Sequence, residues 1–123
     1  MMVVLGRYDP GMIIERHGHR SDHLIFVLEG ELTVGDPAGD RVCGPHTLIV
    51  LEEGAIFGPL VAGDEGALLY ESWAGDPLPN PADKPGYYAL LESKGITRLP
   101  NPTFTPPPGA PSHSNDGTAD AFS

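Results

Sequence analysis

Gly11-Met-Ile-Ile-Glu-Arg-His17-Gly-His19-Arg-Ser-Asp-His23-Leu-Ile-Phe-Val-Leu-Glu-Gly30 is the stretch on which the fold of this chain turns. It sets three of the chain's five histidines within seven residues, between two apolar, β-branched runs that read as strand. His17 and His19 are two apart, so on a strand their side chains leave by the same face. Arg20, Ser21 and Asp22 tolerate a turn, and His23 opens the apolar run 24–28. If the turn lays the second run beside the first, the three rings converge on one point. Neutral imidazole is the commonest protein ligand for transition metals, so the pattern points to a metal site of His17, His19 and His23. The plainer alternative is a polar loop whose histidines lie at the surface or satisfy local hydrogen bonds.

The rest of the chain repeats the strand-and-turn rhythm. Asp9-Pro10-Gly11 is a turn, and residues 1–10 read as a short leader before it. Gly30 supplies the backbone freedom for a turn or bulge, and 35–40 is a hairpin loop by composition. Short strands follow at 41–43 and 47–51, and 67–73 is the last clear one. Turn signals every 6 to 12 residues predict an all-β sandwich or barrel over residues 1–75. Residues 76–99 form a Pro-rich connector and a short helix at 85–94, ended by Gly95 and packed on the barrel. Residues 100–123, with His113, are rich in Pro, Ser and Gly and read as an irregular tail.

Charge and length exclude several classes. A single domain of 123 residues with a net charge of −10 is a poor partner for nucleic acid or anionic membrane. Its apolar runs are too short to span a bilayer, and the N-terminus lacks the features of a secretory signal. Cys43, the only cysteine, precludes an intrachain disulfide and fits a reducing cytoplasm; beside Gly44-Pro45 it reads as a small buried apolar side chain.

Other candidates surround the histidines. Strand parity gives Ile13 and Glu15 the His17 face, making Glu15 a fourth ligand, an acid/base group, or a solvated charge at the barrel mouth. Asp22 is placed to accept a ring N–H from a ligand histidine, or to bond local backbone. In the last strand either Leu68, Tyr70 and Ser72 or Leu69, Glu71 and Trp73 face inward. The first set is cheaper to bury, whereas Trp73 would make an aromatic lid. Tyr70 and Trp73 are therefore both pocket candidates. His46, at the turn after Gly44-Pro45, is expected outside the barrel.

The stretch 11–30 resembles the first signature of the cupin superfamily: Gly, five residues, His-x-His, three or four residues, Glu, six residues, Gly. Every spacing fits, with His23 where the family has Glu. The second signature, Pro-x-Gly-x-x-His, resembles Glu52-Glu53-Gly54-Ala55-Ile56-Phe57, of whose named residues Gly54 alone remains. Phe57 stands at the usual fourth-ligand position and becomes an apolar wall of the pocket. The helix and tail, with Trp73-Ala-Gly-Asp-Pro and Leu99-Pro-Asn-Pro, are similar to the ends of some small single-domain bacterial cupins related to acetylacetone-dioxygenase-like enzymes. The resemblance implies a jelly-roll barrel, or double-stranded β-helix. It also implies a divalent transition metal (Fe, Zn, Ni or Mn, with Fe or Zn ranked first) and homodimerisation through edge strands. The leading expectation is a metal-dependent, Fe(II)-type dioxygenase or related enzyme on a small organic molecule. The alternative is a non-catalytic cupin module that binds a metal or small ligand. A metal-free cupin using His/Tyr acid–base chemistry ranks last, since no Tyr pairs with a His at readable spacing.

Overall fold

A computed structural model of the chain describes residues 1–98. The Pro-rich tail assigned to 100–123, with His113, lies outside the described residues, as does residue 99 at the end of the connector-and-helix segment. Among the described residues, eight strands and one helix follow in order. They are β1 (Met2–Tyr8), β2 (Ile13–Ile14), β3 (His17–Gly18), β4 (His23–Val34), β5 (Arg41–Cys43), β6 (Leu48–Leu51), β7 (Leu60–Trp73), β8 (Asn80–Pro81) and α1 (Lys84–Ser93). The fold is all-β: strand pairing is antiparallel and α1 is short.

Strands β4 and β7 form the spine. They pair along almost their whole length, with β1 on the far side of β7 and β5 and β6 on the far side of β4. β2 extends the β7 edge, while β3 and β8 make a small second ladder. The core is Ile25, Val27 and Leu32 from β4, Leu60, Ala67 and Leu69 from β7, and Cys43 and Phe57. Val27 and Leu32 are five residues apart yet both fully buried, although a regular strand would place them on opposite faces. Register shifts between Val27 and Glu29 and between Gly30 and Leu32 absorb the odd residue. Gly30 sits in the left-handed region at φ 75°, and a Cβ there would overlap the Gly66 carbonyl oxygen. The bulge therefore requires glycine.

Three readings of the sequence are corrected. The leader at 1–10 is in fact β1, registered residue for residue with β7 from Met2↔Trp73 to Tyr8↔Ala67. The last strand is longer than its apolar part, because 60–66 continue the same ladder. Two residues inside the Pro-rich connector, Asn80 and Pro81, pair with Gly18 and His17. The helix is found at Lys84–Ser93, with Asp83 accepting the Gly86 N–H as its cap at 3.0 Å and Leu91 buried. Cys43 is buried in the core cluster, and burial pushes its thiol pKa up. His46 is exposed, at the left-handed φ of 68°.

Candidate functional site

The chain from β3 to the start of β4 delivers the three histidines to one buried place. His17 and Phe57 exchange backbone hydrogen bonds at 3.0 and 2.9 Å, which sets Phe57 directly beside the first ring. Gly54 donates its N–H to the His19 carbonyl at 3.0 Å, fixing the next turn of chain. His23 opens β4 opposite both Leu51 and Trp73. His17, His19 and His23 are 5%, 4% and 2% exposed. The alternative of surface histidines is therefore excluded.

The rings pack as a cluster. Centroids lie 5.0 Å apart for His17 and His19 and 4.8 Å apart for His19 and His23, each pair edge to face. The Phe57 ring lies 4.5, 6.0 and 5.8 Å from His17, His19 and His23. Trp73 stacks on His23 at 4.3 Å with 16° between planes. Phe57 and Trp73 thus wall the histidines with apolar surface.

Each ring has one nitrogen tied to an acceptor. His17 Nδ1 lies 2.6 Å from the Glu15 carbonyl, and His19 Nδ1 lies 3.1 Å from the Leu78 carbonyl. A carbonyl only accepts, so both Nδ1 atoms carry the proton and both Nε2 atoms keep the lone pair. His23 is reversed: its Nε2 lies 3.2 Å from Glu71 Oε1, which leaves the lone pair on Nδ1. His19 Nε2 and His23 Nδ1 are enclosed with no hydrogen-bond partner. Such orphaned polar atoms are uncommon in folded proteins and destabilise them, so their presence calls for a role.

Electrostatics favour the neutral form of the His17 and His19 rings. Burial, outweighing the bond to the Glu15 carbonyl, pushes the His17 pKa down, and His23 acts in the same direction. Burial, followed by the neighbouring His17 and His23, lowers His19 from 6.5 to about 4. A cluster of oriented imidazoles with free nitrogens has the chemistry of a transition-metal donor set. Among the described residues, however, no group of three or more His, Cys, Asp or Glu side chains is placed to hold a metal ion as it stands. The convergence of three ring nitrogens on one point, expected from their spacing, is thus realised as a cluster of rings without a common focus. The donors are of the kind a transition metal takes, but as placed they share no focus.

The remaining candidates separate. Glu15 is half-buried; its carbonyl orients His17, and one carboxylate oxygen, Oε2, is enclosed without a partner. Asp22 does not contact a ring nitrogen: its Oδ1 accepts the Glu53 N–H at 2.9 Å, binding two loops, as a short carboxylate ending a turn is prone to do. Tyr70 faces outward and is 44% exposed, because the register with β4 sends Leu69, Glu71 and Trp73 inward. The cheaper-to-bury set is therefore the wrong face. Glu71, 6% exposed, belongs to the inward set that burial cost ranks second, and sequence reasoning assigns it no role at the site. Its two-residue spacing from Trp73 was the available signal. Tyr8, in the overlooked β1, donates its hydroxyl to Glu71 Oε2 at 3.4 Å. Burial and Glu71 together push the Tyr8 pKa well above the usual phenol value.

With fold and site described, the chain can be set beside known structures. No protein-family model and no curated protein matches the sequence. Among solved structures it is similar to a cupin superfamily protein from Desulfitobacterium hafniense, at 16% identity over 56% of this chain and 62% of that one, TM-score 0.50. It is also similar to KdgF from Halomonas sp., at 24% identity over 57% of this chain and 64% of that one, TM-score 0.52. Oxalate decarboxylase of Bacillus subtilis, a protein with Mn(II) centres, is matched at 20% identity over 77% of this chain and 28% of that one, TM-score 0.54. The fold is that of the cupins. The chain spans less than two thirds of the length of each of these proteins. Among the described residues no helix is long and apolar enough to cross a membrane.

Proposed function

We propose that this chain is a metal-binding cupin in which His17, His19 and His23 hold a divalent transition metal, with Fe or Zn ahead of Ni or Mn. The reading extends to a metal-dependent enzyme of Fe(II)-type dioxygenase character, like the acetylacetone-dioxygenase-like cupins, acting on a small organic molecule. One observation carries it: all three buried rings have one nitrogen engaged as a donor, and two of the opposite nitrogens are enclosed with nothing to bond. The Mn(II) centres named for the B. subtilis decarboxylase lend the fold a metal-holding precedent. An ion bound here would supply Lewis-acid activation of a chelating substrate or of O2. The chain's own residues would do the rest. Phe57 and Trp73 exclude water and offer an apolar wall to substrate carbon, while the Glu15 and Leu78 carbonyls fix the rings of His17 and His19. A cytoplasmic setting is part of the reading, supported by the unpaired buried thiol of Cys43.

The test uses protein purified without a histidine tag. Elemental analysis should find stoichiometric metal in the parent chain and little in the His17→Ala/His19→Ala variant. Oxygen uptake with Fe(II) and a panel of diketones and hydroxyketones then separates enzyme from non-catalytic module. Metal-free acid–base catalysis gains one specific support, because Tyr8, Glu71 and His23 are joined through the carboxylate. Absence of metal from the parent protein, with activity surviving chelators, would favour that reading.

We also propose that the chain pairs with a second copy through the outer face of its main sheet. Two cross-strand rows support this: Leu5, Tyr70, Phe26 and Leu48 in one, Val3, Ser72, Leu24 and Val50 in the other. Leu5, Leu48 and Val50 are more than half exposed. Such a face exceeds the scattered apolar residues of an ordinary surface and resembles the larger patches, roughly 300–600 Å², that mark interaction sites.

A further inference from the structure

We infer that Glu71 is a positioning residue for His23: it fixes the ring in the Nε2–H tautomer and so makes Nδ1 the donor atom that His23 offers to the site. A carboxylate only 6% exposed is stable in a protein interior when both oxygens are engaged. Glu71 meets this condition with Tyr8 OH on Oε2 and His23 Nε2 on Oε1. The carboxylate accepts, so the proton resides on Nε2. The two nitrogens of an imidazole project in divergent directions, so Glu71 lies on the far side of the ring from whatever Nδ1 faces. Trp73, stacked at 4.3 Å, holds the ring plane in the orientation this bond selects.

The arrangement explains why His23 differs from its neighbours. His17 and His19 are oriented through Nδ1 by backbone carbonyls that any sequence would supply at those points. At the first residue of β4 the acceptor is instead a side chain delivered by β7, where Glu71 stands opposite Ile25. A charged acceptor also raises the basicity of the ring that donates to it, making the opposite nitrogen a better ligand. Tyr8 holds the carboxylate from behind. The consequence for metal affinity rests on the metal-site reading above; the tautomer does not.

The experiment is ¹⁵N–¹H correlation of the imidazole rings in the metal-free parent chain, Glu71→Gln, Glu71→Ala and Tyr8→Phe, paired with Zn(II) titration. The expected parent spectrum shows His23 protonated at Nε2 with a lone pair on Nδ1. Glu71→Gln, whose amide oxygen still accepts, keeps that tautomer, whereas Glu71→Ala yields a mixture. Zn(II) affinity falls roughly 10-fold in the first and towards 100-fold in the second. His17 and His19 keep their Nδ1–H signals in all four proteins, which reports an intact fold. A parent spectrum with His23 protonated at Nδ1, or an unchanged tautomer in folded Glu71→Ala, overturns the inference. Should the parent chain take up no metal while its His23 tautomer responds to Glu71 as described, the metal reading falls and the positioning role stands.

Discussion

Acidifying the metal-free protein should remove a large part of its stability, chiefly through His19. Its pKa in the folded chain is about 4, against 6.5 when unperturbed. A depressed folded value means that the native state resists the proton the unfolded chain accepts. The contribution is therefore complete above pH 6.5, is lost as pH falls through the interval towards 4, and stops changing below it. With those two values the loss is about 1.4 kcal/mol at pH 5.5 and about 2.5 kcal/mol at pH 4.5. His17 is lowered for the same reason and adds in the same direction. Against a domain stability of about 5–15 kcal/mol this is a substantial fraction. Urea unfolding at pH 7.0, 5.5 and 4.5 measures it; with a slope of about 1–2 kcal/mol per molar, the midpoint should drop by more than 1 M. His19→Gln, which cannot take up a proton, should show a shallower decline over the same range. A midpoint independent of pH between 7.0 and 5.0, or an undiminished decline in His19→Gln, would refute the reasoning.

Three further outcomes follow from particular contacts. Gly30→Ala sets a Cβ against the Gly66 carbonyl in a left-handed backbone and should cost about 2–4 kcal/mol, read as a lowered Tm in calorimetry. Phe57→His places an imidazole beside all three histidines and should raise metal retention during dialysis against a chelator; unchanged retention would argue that position 57 does not face the ion. Leu5→Glu/Leu48→Glu puts charge on the outer apolar rows and should convert dimer to monomer in sedimentation velocity with little change in Tm.

The legible part of the sequence was what local geometry dictates. The two-residue spacing of His17 and His19, the turn before His23 and the need for glycine at position 30 all have their counterparts in the structure. What escaped depended on partners distant in the chain. Residues 1–10 contain Val3, Val4 and Leu5, ordinary strand formers, but only the length of β7 shows that there is an edge for them to join. Burial cost alone favoured Tyr70 over Glu71 for the interior, whereas the β4 register decides the face and the Tyr8 hydroxyl and the His23 ring make the buried carboxylate tolerable. Asp22 lies close to the histidines in sequence, yet its carboxylate accepts the Glu53 amide, 31 residues away. The orphaned nitrogens of His19 and His23 have no trace in sequence, since they depend on what fails to arrive beside them.

The segment from Glu53 to Phe57 is laced to the segment from His17 to Asp22 by four amides: two shared by His17 and Phe57, one from Gly54 and one from Glu53. Two imidazoles and the phenyl wall are thus held on one hydrogen-bonded pair of segments. A substitution that shifts the backbone at Phe57 is therefore expected to disturb the backbone at His17 as well, since the two exchange both of their hydrogen bonds. His23 is carried separately, on the β4–β7 spine, where it stands opposite Leu51 and Trp73.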